Sequence, residues 1–252
     1  KQTKRKFGIF CEVYVTSEIS KLLCKQIQGG LAMLIVDKAK LLSLYNSKKG
    51  QRGYILANGP SLLNEDLHKL NNKSNIITLN ASSALEDKYK FHSEYYCLTD
   101  PRFLEIEEKR NIAFHKLKDM NSTCLCRDIL KDNLSFEGFN PIYLNSIGRD
   151  GFSRNLLNGF YFGATTTMLA VQLAYWIGLR EVFILGLDLD YLSSSYSRFY
   201  HEENTQVTDL LVSVQIRNLS LASRVFTEEN RSIYLTNMKS WASSYMRCKD
   251  LE

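Results

Sequence analysis

The feature of this sequence that most constrains its fold is a series of short segments, most of them apolar on both faces, that alternate with helical stretches. Strands of this kind are typical of a parallel sheet that helices cover on both sides. Because strand-helix-strand crossovers are right-handed, the pattern predicts an α/β, Rossmann-like, doubly wound and mostly parallel sheet. The predicted strands are residues 53–57, 75–79, 95–98, 122–126, 142–144, 181–185 and 232–235.

A helical extension precedes this pattern. Residues 17–46 carry apolar side chains largely at helical spacing, with Gly29 and Gly30 as an interruption, and residues 47–50 punctuate the chain. We therefore expect an N-terminal helical extension over residues 1–50 and one Rossmann-like domain over residues 51–252. Within that domain, helices are predicted over residues 165–177 and 208–226.

The composition excludes several classes of protein. The 252 residues carry 32 Lys and Arg against 27 Asp and Glu, a net charge of +5 that suits an anionic substrate or membrane surface but not nucleic acid. No run reaches the ~18–20 apolar residues of a membrane span. The six cysteines include no Cys-x-x-Cys pair, which favours free thiols in a reducing compartment. We expect a cytoplasmic protein.

Polar residues follow six of the predicted strands. In an open α/β sheet, ligands bind beyond the carboxyl ends of the strands, so this is where chemistry is expected. One such site alone is better explained by helix capping and turns, but six at one edge favour a nucleotide-type pocket. The residues are 58–61, 80–83, 99–100, 145–146, 186–190 and 236–237.

The first of these loops is Asn58-Gly59-Pro60-Ser61, between a strand and a predicted helix. Gly59 permits a close backbone approach, and amides at the start of the helix could face an anion. The loop is neither a Walker A motif nor a Gly-x-Gly-x-x-Gly motif. Asp188 and Asp190 follow a later strand and point the same way, which suits a metal–diphosphate site or a capped turn equally well for Asp188. For Asp190 a solvated role is favoured.

Residues 191–201 form a polar, aromatic segment of a length that suits a lid. His201 is followed by two glutamates and suits a general base, although an incidental histidine explains the composition as well. Tyrosine hydroxyls in the segment could donate hydrogen bonds to a leaving phosphate. The other three histidines lack acidic or cysteine partners in sequence and are interpreted as structural.

Three segments resemble two related families. They are residues 58–62, Asn80 after the second strand, and the block from Phe162 to Asp188. They are similar to the bacterial sialyltransferases of glycosyltransferase family 42 and to the MptE-like family, domain of unknown function 115. The similarity covers roughly residues 52–240.

The sialyltransferase resemblance implies roles for residues that bind the donor. Asn58 and Asn80 resemble asparagines that contact its phosphate and sugar, and Asp100 stands where that family has another asparagine. Thr166, with Thr165 before it, falls where a serine contacts the donor carboxylate.

The same resemblance implies the catalytic groups. Tyr196 resembles one of two tyrosines that hold the departing phosphate, and Tyr191, beside Asp190, stands in for the other. His201 resembles the base that deprotonates the acceptor hydroxyl. Residues 234–240 resemble a late strand and an Asn-Ser turn, which adds Asn237 and Ser240 to the predicted site.

The leading hypothesis is therefore a metal-independent glycosyltransferase that needs no cofactor. It would move sialic acid or a related acidic keto-sugar from a CMP-activated donor to a surface glycan or glycolipid, as in lipopolysaccharide or capsule biosynthesis. One alternative is an MptE-like 6-hydroxymethylpterin diphosphokinase, in which Asp100, Asp188 and Asp190 hold Mg²⁺ while a pterin attacks ATP. The other is a catalytically inactive nucleotide-binding module. A peripheral contact with the inner face of the membrane and a homo-oligomer are left open.

Overall fold

The computed structural model describes residues 31–191, 197–201 and 209–251, with side chains from residue 37 onward. The chain divides into two compact units, Lys1–Ala39 and Lys40–Glu252. Helix α1, Leu31–Ser43, is the described part of the predicted helix over residues 17–46. Residues 17–30, with the Gly29-Gly30 interruption, lie outside the described residues. Every strand that the structure describes lies in the larger unit.

A sheet of eight strands, all of whose pairings are parallel, forms the centre of this unit. The predicted Rossmann-like, doubly wound sheet is confirmed. In chain order the strands are β1 Arg52–Leu56, β2 Ile76–Leu79, β3 Tyr95–Leu98, β4 Thr123–Arg127, β5 Ile142–Leu144, β8 Glu181–Leu185, β9 Ser232–Leu235 and β10 Arg247–Cys248. Two short strands, β6 Ser146–Gly148 and β7 Phe160–Tyr161, pair separately.

Helices and short 3-10 turns connect the strands and cover both faces of the sheet. Neighbouring residues of one strand belong to different apolar clusters: Ile55 packs in one, and Tyr54 and Leu56 pack in another. This alternation explains why the strands are apolar on both faces. The helices are α2 Glu86–Tyr89, α3 Arg102–Glu105, α4 Glu107–Leu117, α5 Lys131–Phe136, α6 Thr166–Trp176 and α7 Val212–Glu228.

Helix α6 is buried along its whole length, as its apolar sequence predicts, and it ends before Gly178, which has φ +90°. The predicted helix over residues 208–226 is α7, which begins four residues later and ends two residues later. Helix α4 is absent from the sequence prediction. Two of its buried residues are Lys109 and Lys116, so no apolar stripe marks it.

The strand order is β10-β9-β8-β1-β2-β3-β4-β5. Strand β1 lies between β8 and β2, so the chain winds away from it in opposite directions. Connections on the two sides of this point leave on opposite faces, which opens a crevice at the carboxyl ends of β1 and β8.

At the opposite, amino-terminal edge, a buried lysine is surrounded by acceptors. Lys116 Nζ donates to Glu86 Oε2 at 2.8 Å, to Asp119 Oδ2 at 2.9 Å and to the carbonyl of Ser93 at 3.2 Å. The hydroxyls of Ser93 and Ser122 donate to the same two carboxylates. We call these five residues the Lys116 network. It lies just before β3 and β4 and pairs a charge that would otherwise be very costly to bury.

Four cysteines in the described residues are free thiols, as predicted for them: Cys97, Cys124, Cys126 and Cys248. Burial raises the pKa of the Cys124 thiol to about 12, so it packs as a small apolar side chain. None of the helices that the structure describes is long and apolar enough to cross a bilayer.

Candidate functional site at the carboxyl edge

A cleft of about 390 Å³ lies at the carboxyl edge of the sheet, where the strand order reverses. Its wall combines residues that end or follow five strands with the start of α6 and the segment before α7. The contributions are Asn58 and Gly59 from β1, Asn80 from β2, residues 99–102 from β3, Arg127 and Ile129 from β4, residues 186–191 from β8, residues 164–167 from α6, and Ser197, Arg198, Tyr200, Asp209 and Gln215.

Asp188 holds three segments of this wall together. Its Oδ2 accepts from the Ser61 amide at 2.8 Å, and its Oδ1 accepts from the Ser61 hydroxyl and from Asn237 Nδ2 at 2.6 Å. Gly59 passes so close that a Cβ there would lie 2.5 Å from the Asp188 carboxylate. The glycine is needed for this close approach and not for its φ, which is −72°.

A second set of hydrogen bonds joins β2, β3 and α6. The Thr99 and Thr166 hydroxyls lie 2.6 Å apart and are buried, and Asn80 Nδ2 donates to Thr166 Oγ1 at 3.3 Å. Thr165 caps α6 by accepting from the Thr167 amide at 3.3 Å. The amino end of an 11-residue helix, with its partial positive charge, therefore lies in the cleft wall.

Asn80 itself has an unusual backbone conformation, with φ +51°. The Tyr96 hydroxyl donates to its carbonyl at 3.0 Å, and burial raises the pKa of that phenol far above its ordinary value, so the donor stays protonated. Ala164 and Leu189, also in the wall, have φ +59° and +56°. Left-handed backbone at non-glycine residues costs free energy and concentrates at functional sites.

Three polar atoms of the cleft wall are buried and have no hydrogen-bond partner among the described residues: Asn58 Oδ1, Arg127 Nε and Ser197 Oγ. The Arg127 guanidinium lies 4.5 Å from the centre of the Phe162 ring, which fixes its plane. Buried polar groups are nearly always paired, and each unpaired one costs about 1–3 kcal/mol. A polar ligand in the cleft would supply the missing bonds.

The acidic residues of the cleft are engaged with protein donors. Arg102 forms a bidentate ion pair with Asp100, with Nε and the terminal nitrogen at 2.7–3.0 Å, and its amide donates to the same carboxylate at 3.0 Å. Asp188 accepts the three bonds described above. The cleft therefore presents Arg127 and the amino end of α6, with its partial positive charge, to a ligand, while the Asp100 carboxylate is paired with Arg102 and that of Asp188 is hydrogen-bonded to neutral donors.

This pairing bears on Mg²⁺, the ion that a diphosphokinase would need. Mg²⁺ requires carboxylate oxygens that are open to it, and those of Asp100 and Asp188 already accept protein hydrogen bonds. Asp190 lines the cleft but does not make a site alone. Among the described residues, the one group spaced for a shared ion is Glu86, His92 and Asp119, at the opposite edge beside the Lys116 ammonium. In the part of the chain that the structure describes, no group of three or more possible metal ligands lies in the cleft, and a Mg²⁺ ion there would have to share the Asp100 and Asp188 carboxylates with their protein donors.

The structure brings most of the predicted donor-binding residues together. Eight of them line the cleft: Asn58, Gly59, Asn80, Asp100, Thr165, Thr166, Asp188 and Asp190. Pro60, Ser61, Asn237 and Ser240 lie outside its lining. Ser61 and Asn237 donate hydrogen bonds to the cleft residue Asp188, and Ser240 caps a 3-10 turn by accepting from the Ala242 amide. The roles assigned to these residues stay predictions.

The predicted catalytic groups are distributed as follows. Tyr191 is buried in the wall, with the Arg198 guanidinium 5.6 Å from its ring centre. His201 is exposed and directly follows Tyr200, which lines the cleft. Tyr196 lies outside the described residues.

Sequence reasoning did not identify Arg102, Arg127 or Ser197. Arg127 ends β4 and directly follows the predicted strand 122–126, so the rule that singled out residues after six other strands would have found it if it had been applied to this strand too. Arg102 stands two residues after Asp100, within reach of the same carboxylate. Ser197 carried no signal, because one more serine in a Ser-rich segment does not stand out.

Several solved structures are similar to the chain at low identity. The sialyltransferase CstII from Campylobacter jejuni, in complex with cytidine-5'-monophosphate, is 14% identical over 79% of this chain and 85% of its own, with a TM-score of 0.49. The α-2,3-sialyltransferase Cst-I from the same organism is 13% identical over 79% and 80%, with a TM-score of 0.49. The MAf glycosyltransferase from Magnetospirillum magneticum AMB-1 is 11% identical over 87% and 40%, with a TM-score of 0.45.

No curated protein matches the sequence. A family model does: the one described as 6-hydroxymethylpterin diphosphokinase MptE-like matches residues 31–194, more than half of the chain. The resemblance to this family, which the loop at residues 58–62 and the block ending at Asp188 predicted, is confirmed. The chain belongs to the MptE-like family.

Proposed function

We propose that the protein is a glycosyltransferase that moves an acidic keto-sugar from a CMP-activated donor to a glycan or glycolipid acceptor. One observation carries the proposal. The cleft at the switch point of the sheet contains buried, unpartnered polar atoms at Asn58, Arg127 and Ser197, while its Asp100 and Asp188 carboxylates are paired. Such a site favours a polar anion over a metal ion.

The anionic groups of a sugar nucleotide have matching donors here. Arg127 offers Nε beside the Phe162 ring, and the amino end of α6 adds its partial positive charge beside Thr165 and Thr166. Charge-assisted hydrogen bonds from guanidinium and helix amides to phosphate or carboxylate oxygens are among the stronger polar contacts in proteins. Asn58 Oδ1 is a hydrogen-bond acceptor, so its partner in the ligand would be a donor such as a ribose or sugar hydroxyl.

In the proposed reaction an acceptor hydroxyl attacks the anomeric carbon of the donor sugar. A bond forms between the acceptor oxygen and that carbon, and the bond from that carbon to the phosphate oxygen breaks, which releases CMP. His201, which is exposed and directly follows the cleft residue Tyr200, takes the proton from the acceptor hydroxyl, and the Tyr191 hydroxyl donates a hydrogen bond to the departing phosphate. No step calls for a metal ion.

The second candidate is the diphosphokinase reaction that gives the family its description, and the family match favours it. It would require Mg²⁺ between ATP phosphates and the cleft carboxylates. Those of Asp100 and Asp188 would first have to release Arg102, Ser61 and Asn237. Breaking these charge-assisted bonds costs about 1.5–3 kcal/mol each.

A thermal-shift series separates the two candidates at the level of binding. The full chain is heated with CMP, CDP, UDP, GDP or ATP, each with and without MgCl₂. Glycosyl transfer predicts stabilisation by CMP and CDP that is indifferent to Mg²⁺, because a ligand of the folded state raises its stability by mass action. Stabilisation by ATP only when Mg²⁺ is present would overturn the proposal in favour of the diphosphokinase.

A turnover assay separates transfer from binding alone. Release of CMP from CMP-sialic acid is followed with a panel of galactose-terminated acceptors, with and without EDTA. The proposal predicts release that needs an acceptor and survives the chelator. Binding of CMP with no release on any acceptor would instead identify an inactive nucleotide-binding module.

A further inference from the structure

The connection between β9 and β10 has two chemically distinct faces. Ala242 and Met246 are buried in the main apolar core, whereas Met238 is 70% exposed, Trp241 37% and Tyr245 62%. A solvated loop of this length is expected to turn polar side chains outward. Here three of the exposed side chains, Met238, Trp241 and Tyr245, are large and mainly apolar, and the other exposed ones are Lys239, Ser244 and Arg247.

The charges on this part of the chain are positive. The connection carries Lys239, and β10 and the residue after it add Arg247 and Lys249, before the next acidic residue, Asp250. Lys239 and Arg247 are exposed, on the same stretch as the three apolar side chains. We call residues 238–247 the docking segment.

The docking segment is attached directly to the candidate active site. Asn237 Nδ2 donates to Asp188 Oδ1 at 2.6 Å, and the Trp241 amide donates to the Asp188 carbonyl at 3.0 Å. Asp188 lines the cleft. Anything that the segment binds is therefore held beside the cleft.

We propose that the docking segment binds the surface of an anionic lipid bilayer. Tryptophan and tyrosine are enriched at the level of lipid headgroups, and cations beside them are attracted by the negative surface potential. Three exposed apolar side chains fall far short of the about 20–30 residues that each partner contributes to a stable protein interface. The surface therefore suits shallow insertion into a bilayer better than a protein partner.

This inference goes beyond the proposed reaction and can be tested without it, because binding to vesicles requires no nucleotide. The chain has two tryptophans. Trp176 is 4% exposed and its indole donates to the Leu41 carbonyl at 2.8 Å, so Trp241 is the one that a bilayer can reach. Fluorescence therefore reports on the docking segment alone.

The first experiment mixes the full chain with phosphatidylglycerol vesicles, with phosphatidylcholine vesicles as the comparison. We expect a blue shift with the anionic lipid, quenching by its brominated form, and loss of both signals in Trp241→Phe. The signals should weaken as salt is added. Sedimentation with the vesicles while the Trp241 signal stays unchanged would overturn the proposal, since another part of the chain would then bind.

The second experiment tests the charges with a matched pair of double variants. Lys239→Glu with Arg247→Glu should lower the affinity for phosphatidylglycerol vesicles by at least about 30-fold, at about 1 kcal/mol for each cation near the surface. The control is Lys73→Glu with Arg180→Glu, which changes two exposed cations at the opposite edge. Equal losses in both double variants, or a Trp241 shift caused by the chain's own dimerisation without lipid, would refute docking by this segment.

Discussion

The two edges of the sheet use polar residues in opposite ways. At the carboxyl edge, the cleft keeps Asn58 Oδ1, Arg127 Nε and Ser197 Oγ buried and unpaired. At the amino edge, the Lys116 network pairs its ammonium and both of its carboxylates within the protein. The first arrangement lowers the stability of the free protein and raises its affinity for a ligand. The second stabilises the fold, because the buried ammonium is paired with carboxylates of the same chain.

Replacing His201 should give the largest effect at the carboxyl edge. His201→Ala removes the proposed base and should lower turnover by about 10²- to 10⁴-fold while the affinity for CMP stays nearly unchanged. Turnover and CMP binding are measured separately on the same preparation. His115→Ala, an exposed histidine on α4, is the control. A variant at position 201 with normal turnover would remove this residue from the mechanism.

Breaking the Lys116 network should affect stability and not binding. Lys116→Met leaves Glu86 and Asp119 as neighbouring carboxylates without their shared cation, which should lower the free energy of unfolding by about 3–5 kcal/mol. Urea unfolding measures this loss, and CMP affinity of the fraction that stays folded should not change.

Lys73→Met, at an exposed lysine, provides the comparison for this variant. If Lys116→Met had the same free energy of unfolding as the unmodified chain, the network would contribute nothing to the stability of the fold.

Replacing Arg127 should weaken ligand binding and leave stability nearly unchanged, the reverse of what is expected for Lys116→Met. Arg127→Ala should weaken CMP or CMP-sugar binding about 10- to 100-fold, because hydrogen bonds to charged groups contribute about 1.5–3 kcal/mol. The unfolding free energy should change by less than about 1 kcal/mol. The substitution removes a buried, unpaired donor, which destabilises the fold, together with the contact to Phe162, which stabilises it. Isothermal titration and urea unfolding give the two quantities.

Arg180→Ala, at the amino edge, serves as the matched variant. If Arg127→Ala destabilised the protein and left binding intact, the contrast between the two edges would be wrong.

The smallest expected effect is on the stability of the fold at low pH. Burial raises the pKa of the Asp119 carboxyl, but hydrogen bonds from Lys116, the Asn121 amide and Ser122 outweigh it and lower the pKa to about 2. A carboxyl with a depressed pKa stabilises the folded state fully above its unfolded value of about 3.9, and that part is lost as pH falls toward 2.

Asp119→Asn should therefore flatten the decline of the urea midpoint between pH 5 and pH 2. The Asp87→Asn variant, at a carboxyl outside the network, should keep the full slope. Parallel declines in all three proteins would rule out this source of acid sensitivity.

Much of the fold follows from the sequence because its central strands are buried on both faces, and their side chains are therefore apolar at successive positions. Tyr95–Leu98 and Glu181–Leu185 match the prediction residue for residue. Strands of two or three residues, such as β7 and β10, are too short to have a period. Helix α4 was missed because Lys116 is buried against Glu86, a residue distant in sequence, as well as against the nearby Asp119, and no local pattern records the distant contact.

The cleft was predictable in place but not in its electrostatics. Parallel strands bring Asn58, Asn80 and Asp188 to one edge, and the sequence pattern sufficed for that. Whether a carboxylate faces a ligand or a neighbour depends on three-dimensional contacts. The sequence left Asp188 open between a ligand-facing carboxylate and a capped turn, and in the structure its oxygens accept from Ser61 and Asn237. Arg127, which offers a free donor, stood one residue beyond the predicted strand.

The shared carboxylate of Asp188 has a mechanical consequence. Ser61, at the first loop, and Asn237, at the root of the docking segment, are hydrogen-bonded to the same side chain. Neither loop can shift alone without breaking a bond to a buried charge. A displacement of either loop is therefore transmitted through Asp188 to the other. The floor of the cleft and the docking segment are mechanically coupled by this one side chain.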